Sequence, residues 1–114
     1  MPYLLIQTNL TLDQQQSKSL LEKTSKTVAN ILGKPESYVM VAIQSETPMF
    51  FAGNDQPLAY LQLKSLGLPE SSTPEFSQTL CGLVNSELDI STDRVYIEFS
   101  SPERHLWGWN NKTF

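Results

Sequence analysis

Hydrophobic and polar positions along this chain fall into two rounds of strand, helix, strand. Residues 2–8 (PYLLIQT) are a short, mostly apolar run. Its aromatic and β-branched content favours a strand over a helix. Thr11 and Gln14 have capping-box spacing. From there to Leu32 the apolar positions Leu20, Leu21, Val28, Ala29, Ile31 and Leu32 recur at helical intervals, with Thr24 filling the gap on the same face. Gly33 followed by Pro35 stops that helix. Residues 38–43 (YVMVAI) predict the next strand, too apolar to be an exposed edge.

The second round starts less regularly. Met49-Phe50-Phe51-Ala52 reads as a short strand and Gly53-Asn54-Asp55 as a turn. Residues 57–66 alternate, with Ala59, Leu61 and Leu63 on one face and Tyr60, Gln62 and Lys64 on the other. Thr73 is placed to cap a second helix, with Pro74 at its first position. Phe76, Leu80, Leu83, Val84 and Leu88 form its buried stripe. In residues 94–99, Val95, Ile97 and Phe99 face opposite to Arg94, Tyr96 and Glu98. The tail, HLWGWNNKTF, is rich in aromatic and turn residues. Connections of this length suit parallel crossovers. The expected fold class is α/β: two β-α-β units in a four-stranded mixed sheet, with two helices on one face and one domain over residues 1–114. The other sheet face is then uncovered, which predicts a homo-oligomer.

Composition narrows the function. The 114 residues carry a net charge of −4 with eight scattered Lys and Arg, which argues against nucleic-acid binding. The hydrophobic fraction of 39% suits a soluble globular domain. No apolar run approaches the roughly 20 residues of a membrane span. The start lacks a basic n-region, so no signal peptide is expected and the cytoplasm is the default compartment. Release by a route without a signal peptide is compatible with this. The single Cys81 allows no internal disulfide, and with the single His105 it makes no metal-ligand set. No cofactor is expected.

Four features carry chemistry. Removal of Met1 would expose Pro2 as a secondary amine that titrates near ~8, able to act as base or nucleophile; Pro2 also suits a strand start and nothing more. Lys34 can hold an anion or simply complement a helix C-terminus. Trp107, Trp109 and Phe114 can wall an aromatic pocket or cap the core. Tyr96 and Glu98 share a strand face that lines a site or meets solvent. Cys81 sits on the apolar stripe and reads as core, and His105 has no visible partner.

Taken in order, these residues resemble the macrophage migration inhibitory factor family of the tautomerase superfamily over the full length. The anchors are Met1-Pro2 leading into a strand, Thr8-Asn9, Gly33-Lys34-Pro35 with Tyr38, and Pro57-Leu58-Ala59 leading into Ser65-Leu66-Gly67. Leu80-Cys81-Gly82-Leu83, Asp93-Arg94-Val95-Tyr96-Ile97 and Gly108-Trp109-Asn110-Asn111 with Thr113-Phe114 follow. The resemblance implies a homotrimer whose three sheets line a central barrel. It implies keto–enol tautomerisation of small aromatic 2-oxo acids such as phenylpyruvate and of dopachrome analogues, with Pro2 shuttling the proton. By the same resemblance Lys34 contacts the substrate carboxylate and Leu66 lines the pocket. Tyr96 and Glu98 come from the neighbouring subunit, and Trp107, Trp109 and Phe114 form rim and wall.

Three departures stand out. Glu98 replaces the asparagine of the vertebrate cytokine type, so a carboxylate there is expected to repel an anionic substrate or pair with Lys34, and to raise the pKa of a nearby amine. Trp107 replaces a small aliphatic residue and narrows the pocket. Leu58 and Leu61 stand where some members carry CxxC, which removes thiol-oxidoreductase chemistry at that place. Two further readings stand beside the tautomerase. One is a cytokine-like protein that binds a receptor through its surface. The other is hydration-type dehalogenation or decarboxylation, disfavoured because Arg94 and Arg104 are the only arginines.

Overall fold

Strand β1 (Tyr3–Thr8) alternates strictly between half-buried and buried side chains. Leu4, Ile6 and Thr8 point to one face with no exposure, because that face is where the helices lie. The computed structural model describes residues 1–114. After β1 come helix α1 (Gln14–Leu32), strand β2 (Met40–Gln44), strand β3 (Ala59–Lys64), helix α2 (Thr73–Leu88) and strand β4 (Val95–Ser100). A two-stranded hairpin of β5 (Gly108–Trp109) and β6 (Lys112–Thr113) closes the chain.

The sheet order is β2-β1-β3-β4. β1 pairs parallel to β2 and antiparallel to β3, and β3 pairs parallel to β4. The mixed sheet of two β-α-β units therefore forms as the pattern implied. The register stacks Val41 on Leu4, Leu63 on Leu4 from the other side, and Phe99 on Leu63. Leu20 and Val28 of α1 and Phe76, Leu80 and Val84 of α2 cover this layer. Truncating one such fully buried Leu to Ala is expected to cost about 2–5 kcal/mol.

Several local expectations are corrected. The cap of α1 is Asp13, two residues beyond the expected Thr11. Its carboxylate accepts from the Gln16 backbone at 2.7 Å, while the Gln16 side chain accepts from the Asp13 backbone at 3.1 Å. Thr73 does not cap α2 with its side chain; its hydroxyl donates back to the Glu70 carbonyl, because a 3-10 turn runs straight into the helix. Residues 49–52 form only a single bridge, Phe51 to Asn54, around a tight turn. Tyr38 closes a 3-10 turn over residues 36–38, so the strand expected from Tyr38 starts at Met40. β2 is also an edge strand, contrary to expectation. Its Val41 and Ile43 are apolar because they share the helix-facing side with Leu4 and Ile6, whereas Met40 on the opposite face is 66% exposed.

That opposite face is more polar than a dry contact surface. Gln7 donates to Gln44 across β1 and β2, and Gln62 donates to Glu98 across β3 and β4. Tyr3, Tyr60, Lys64 and Tyr96 stand among them by register.

Candidate active site

Pro2 sits at the mouth of β1 and is fully buried. Its carbonyl accepts from the Met40 backbone at 3.0 Å, which ties the start of β1 to the start of β2. The residue lines a cleft of about 530 Å³ with Met1, Tyr3, Tyr38, Val39, Met40, Trp107 and Trp109 among its walls. The α-amine of Met1, next to Pro2 in this cleft, titrates below its ordinary value. Burial is the larger cause, since it penalises the charged form, and the positive charge of Lys34 adds to it.

Lys34 is placed by the end of α1. Gly33 takes a left-handed conformation at φ 61°, and the backbone N–H groups of Gly33 and Lys34 bond to Asn30 and Ala29. The chain then turns back under β1. The lysine thereby stands both beyond a helix C-terminus, a favourable place for a cation, and near the amine.

The aromatic tail meets this cleft. Trp109 meets Tyr38 edge-on at 5.7 Å and stacks on Phe114 at 5.9 Å with ring planes 9° apart. Asn110 and Asn111, at φ 52° and 64°, make the turn between β5 and β6 that holds Trp109 in place. The Phe114 backbone N–H donates to the Trp107 carbonyl at 3.1 Å. The Asn110-Asn111 pair is the signal for this hairpin, where composition alone gives a turn-rich tail. Tyr38 and Met40 were also missed as site residues; the signal available was their place directly after the Gly33-Lys34-Pro35 turn.

Leu66 is buried in the loop after β3, at the end of the sheet where Lys64 pairs with Tyr3. It does not line the cleft. Tyr96 and Glu98 lie farther away. Tyr96 pairs with Tyr60, which pairs with Gln7 near the far end of β1. Five residues along β1 and two strands across separate Tyr96 from Pro2, roughly 18 Å at ordinary strand spacings; Glu98, level with Gln62 and Leu5, is three residues along and two strands across, roughly 14 Å. One subunit therefore brings together Pro2, Lys34, Trp107, Trp109 and Phe114, and does not bring Tyr96 or Glu98 to them.

Glu98 has its own partners. Tyr60 donates to it at 2.8 Å and Gln62 at 3.2 Å, and Gln62 also donates to the Tyr60 hydroxyl at 2.9 Å. Gln62's donated bond favours the phenolate, but the bond to Glu98, burial and the carboxylate charge outweigh it and raise the Tyr60 pKa. Within a subunit Glu98 is bound to Tyr60 and Gln62, and the causes that lower the Met1 amine are burial and Lys34.

The remaining groups offer little chemistry. A second cavity of about 620 Å³, beside Asn9, Glu46, Thr47, Pro48 and Asp55, has no cation in its wall. Burial pushes the Cys81 thiol up, so it stays protonated, as a core cysteine does. His105 has a partner the sequence did not reveal, Glu103 at 3.3 Å, and both are exposed. No group of three His, Cys, Asp or Glu side chains is gathered to hold a metal ion. No helix is long and apolar enough to cross a membrane.

Comparison with known proteins gives one answer. The sequence profile of the family described as Macrophage migration inhibitory factor (MIF) matches residues 1–114. A macrophage migration inhibitory factor homolog of Brugia malayi is 37% identical, with 100% of this chain and 99% of that protein covered. The macrophage migration inhibitory factor of Mus musculus is 34% identical over the same shares. Among solved structures, the homologue from Prochlorococcus marinus superposes with a TM-score of 0.92 at 42% identity, covering 98% of both chains.

Proposed function

Because this chain belongs to the macrophage migration inhibitory factor family, we propose that it is a keto–enol tautomerase of phenylpyruvate-like 2-oxo acids, with Pro2 as its general base. The observation that carries the reading is the cleft itself. The Met1 amine, next to Pro2, is held below its ordinary pKa by burial and by Lys34, against a wall of aromatic rings.

The proposal requires loss of Met1. With Met1 in place the Pro2 nitrogen belongs to an amide and has no basic lone pair. Once free, the amine inherits the same burial and the same lysine, so its neutral form is populated at lower pH than an ordinary α-amine. In the keto-to-enol direction the nitrogen takes a proton from the carbon next to the carbonyl. The C–H electrons form the C=C bond, and the carbonyl oxygen takes a proton from solvent water as its π electrons move onto it. Ketonisation reverses this, with the Pro2 ammonium protonating the carbon. Lys34 holds the substrate carboxylate and Trp109 with Phe114 holds the ring, so the acidic carbon is presented to the nitrogen.

The functional assembly is a homotrimer in this reading. The polar open face, with Gln7, Gln44, Gln62 and Glu98, suits a water-lined central channel rather than a dry core. A neighbour also supplies what one subunit lacks, since Tyr96 stands toward the far end of its own sheet from Pro2 and Glu98 stands two strands across from β1.

The test is ketonisation of enol-phenylpyruvate by wild type and Pro2→Ala, on protein whose mass shows Met1 absent. Activity in wild type that falls by about two orders of magnitude or more in the variant is the expected outcome, the size of a general-base contribution. Inactive wild type that is correctly processed overturns the reading and shifts the weight to a receptor-binding role.

A further inference from the structure

Tyr96 is 65% exposed, yet its ring is not free. Phe51 meets it at 4.8 Å between centroids with the planes 70° apart, an edge-to-face contact. Phe51 belongs to the turn at residues 51–54, where Ala52 and Gly53 have φ of 52° and 79°. Such a turn would not hold a phenyl ring by itself. Arg94, two residues before Tyr96, supplies the support. Its guanidinium lies 5.3 Å from the Phe51 centroid, over the ring face. The same guanidinium donates to the carbonyls of Pro57 at 2.9 Å, Gln56 at 3.0 Å and Asn54 at 3.4 Å. All of its visible bonding is thus spent on the backbone of one loop, and none on a carboxylate.

We propose that Arg94 and Phe51 form a clamp that sets the angle of the Tyr96 ring as a wall of the neighbouring subunit's substrate pocket, Arg94 being a positioning residue. This rests on the reading above, in which Tyr96 serves a neighbour's site. The planar fork of arginine meets three carbonyls while its face meets the phenyl ring, a combination lysine does not reproduce. The loop is thereby locked to the strand that carries Tyr96. Neither Arg94 nor Phe51 touches the reacting atoms. Their removal therefore weakens substrate binding and leaves the protonation of Pro2 alone.

The experiment uses processed trimer and the variants Arg94→Lys, Phe51→Leu and Phe51→Tyr, each alone and with Tyr96→Ala. Phe51→Leu keeps the site apolar and avoids the fold risk of losing arginine's three backbone bonds. In Phe51→Leu and Arg94→Lys, KM is expected to rise about two- to tenfold, the range for one edge-to-face contact. The pH profile of kcat/KM stays in place, and Phe51→Tyr keeps wild-type KM. In the Tyr96→Ala background the same changes add nothing further, since coupled residues are non-additive. A loss confined to kcat or to thermal stability, with KM unchanged, overturns the clamp and leaves a structural role.

A second readout does not depend on activity. In protein labelled with fluorotyrosine, Tyr96 gives one of four resonances, identified by its absence in Tyr96→Phe. That resonance shifts in Phe51→Leu and in Arg94→Lys if the clamp sets the ring. An unmoved resonance overturns the inference even in an active enzyme. An inactive wild type in which the resonance does move overturns the tautomerase reading while supporting the clamp's hold on Tyr96.

Discussion

Pro2 and Lys34 show how little a residue's chemistry owes to its type and how much to its surroundings. An ordinary α-amine is largely protonated at neutral pH, whereas burial and the Lys34 charge move the Met1 amine down, and in the proposed reading a Pro2 amine freed by loss of Met1 meets the same surroundings. A base works in its neutral form, so kcat/KM is expected to rise with pH through this lowered pKa and then level off. Lys34→Ala removes the cation, returns the amine pKa toward its usual value, and shifts the rising limb to higher pH. The same change is expected to raise KM about tenfold through the lost carboxylate contact. A pH–rate profile of the processed protein and the variant reads both effects. Thr24 is the opposite case. Its hydroxyl is buried against the sheet with no hydrogen-bond partner. Thr24→Val should stabilise by about 1 kcal/mol, read as a higher urea midpoint at unchanged slope, since an unpaired buried hydroxyl carries that order of penalty.

At the scale of the element, both ends of α1 do local work for the site. Asp13 fixes where the helix starts, and Asp13→Ala should cost about 1 kcal/mol of stability with little change in activity. Gly33 fixes where it stops and where Lys34 goes. A Cβ at Gly33 meets nothing within 4 Å, so the cost of Gly33→Ala is backbone strain alone. That strain is about 1 kcal/mol in the left-handed region. Relief of it would swing Lys34, so KM should rise along with the loss in thermal stability. Thr8 and Asn9 do the equivalent task at the other end of β1. The Thr8 hydroxyl donates to Leu58 at 2.7 Å, and Asn9 both donates to Asp55 and accepts from the Leu58 backbone. The loop before β3 is thereby stitched to β1, which explains why two polar residues follow an apolar strand.

For the whole molecule the decisive fact is the separation of Pro2 from Tyr96 along one sheet. If a neighbour completes the site, sedimentation should give about three times the 12.9 kDa chain mass. Active sites should also be recoverable by mixing. Pro2→Ala and Tyr96→Ala chains, unfolded and refolded together in equal amounts, should regain about a quarter of the intact sites, because each site needs one good residue from each of two adjacent subunits in a closed ring. Assay at substrate below KM reads this against each variant refolded alone. No recovery, with heterotrimers present by mass, would show that the site is built within one chain.

Much of this was written in the sequence. Period-two alternation in residues 57–66 and 94–99 set which side chains face the helices, because a strand has no other way to bury one face. Helical spacing marked Leu20, Thr24 and Val28, and Gly33 marked the stop, because only a left-handed residue closes that turn without strain. The family, and with it Pro2 and Lys34 as candidates, was legible in ordered motifs. What the tertiary structure alone decided depends on partners distant in the chain. β2 lies at an edge because β1 has one free side for it and β3 takes the other. Glu98 binds Tyr60 and Gln62 within its own chain because parallel pairing of β3 with β4 sets that register. Phe51 and Arg94 meet through a turn that no periodicity announces, and cross-strand and loop contacts of this kind exist only once the chain has folded back on itself.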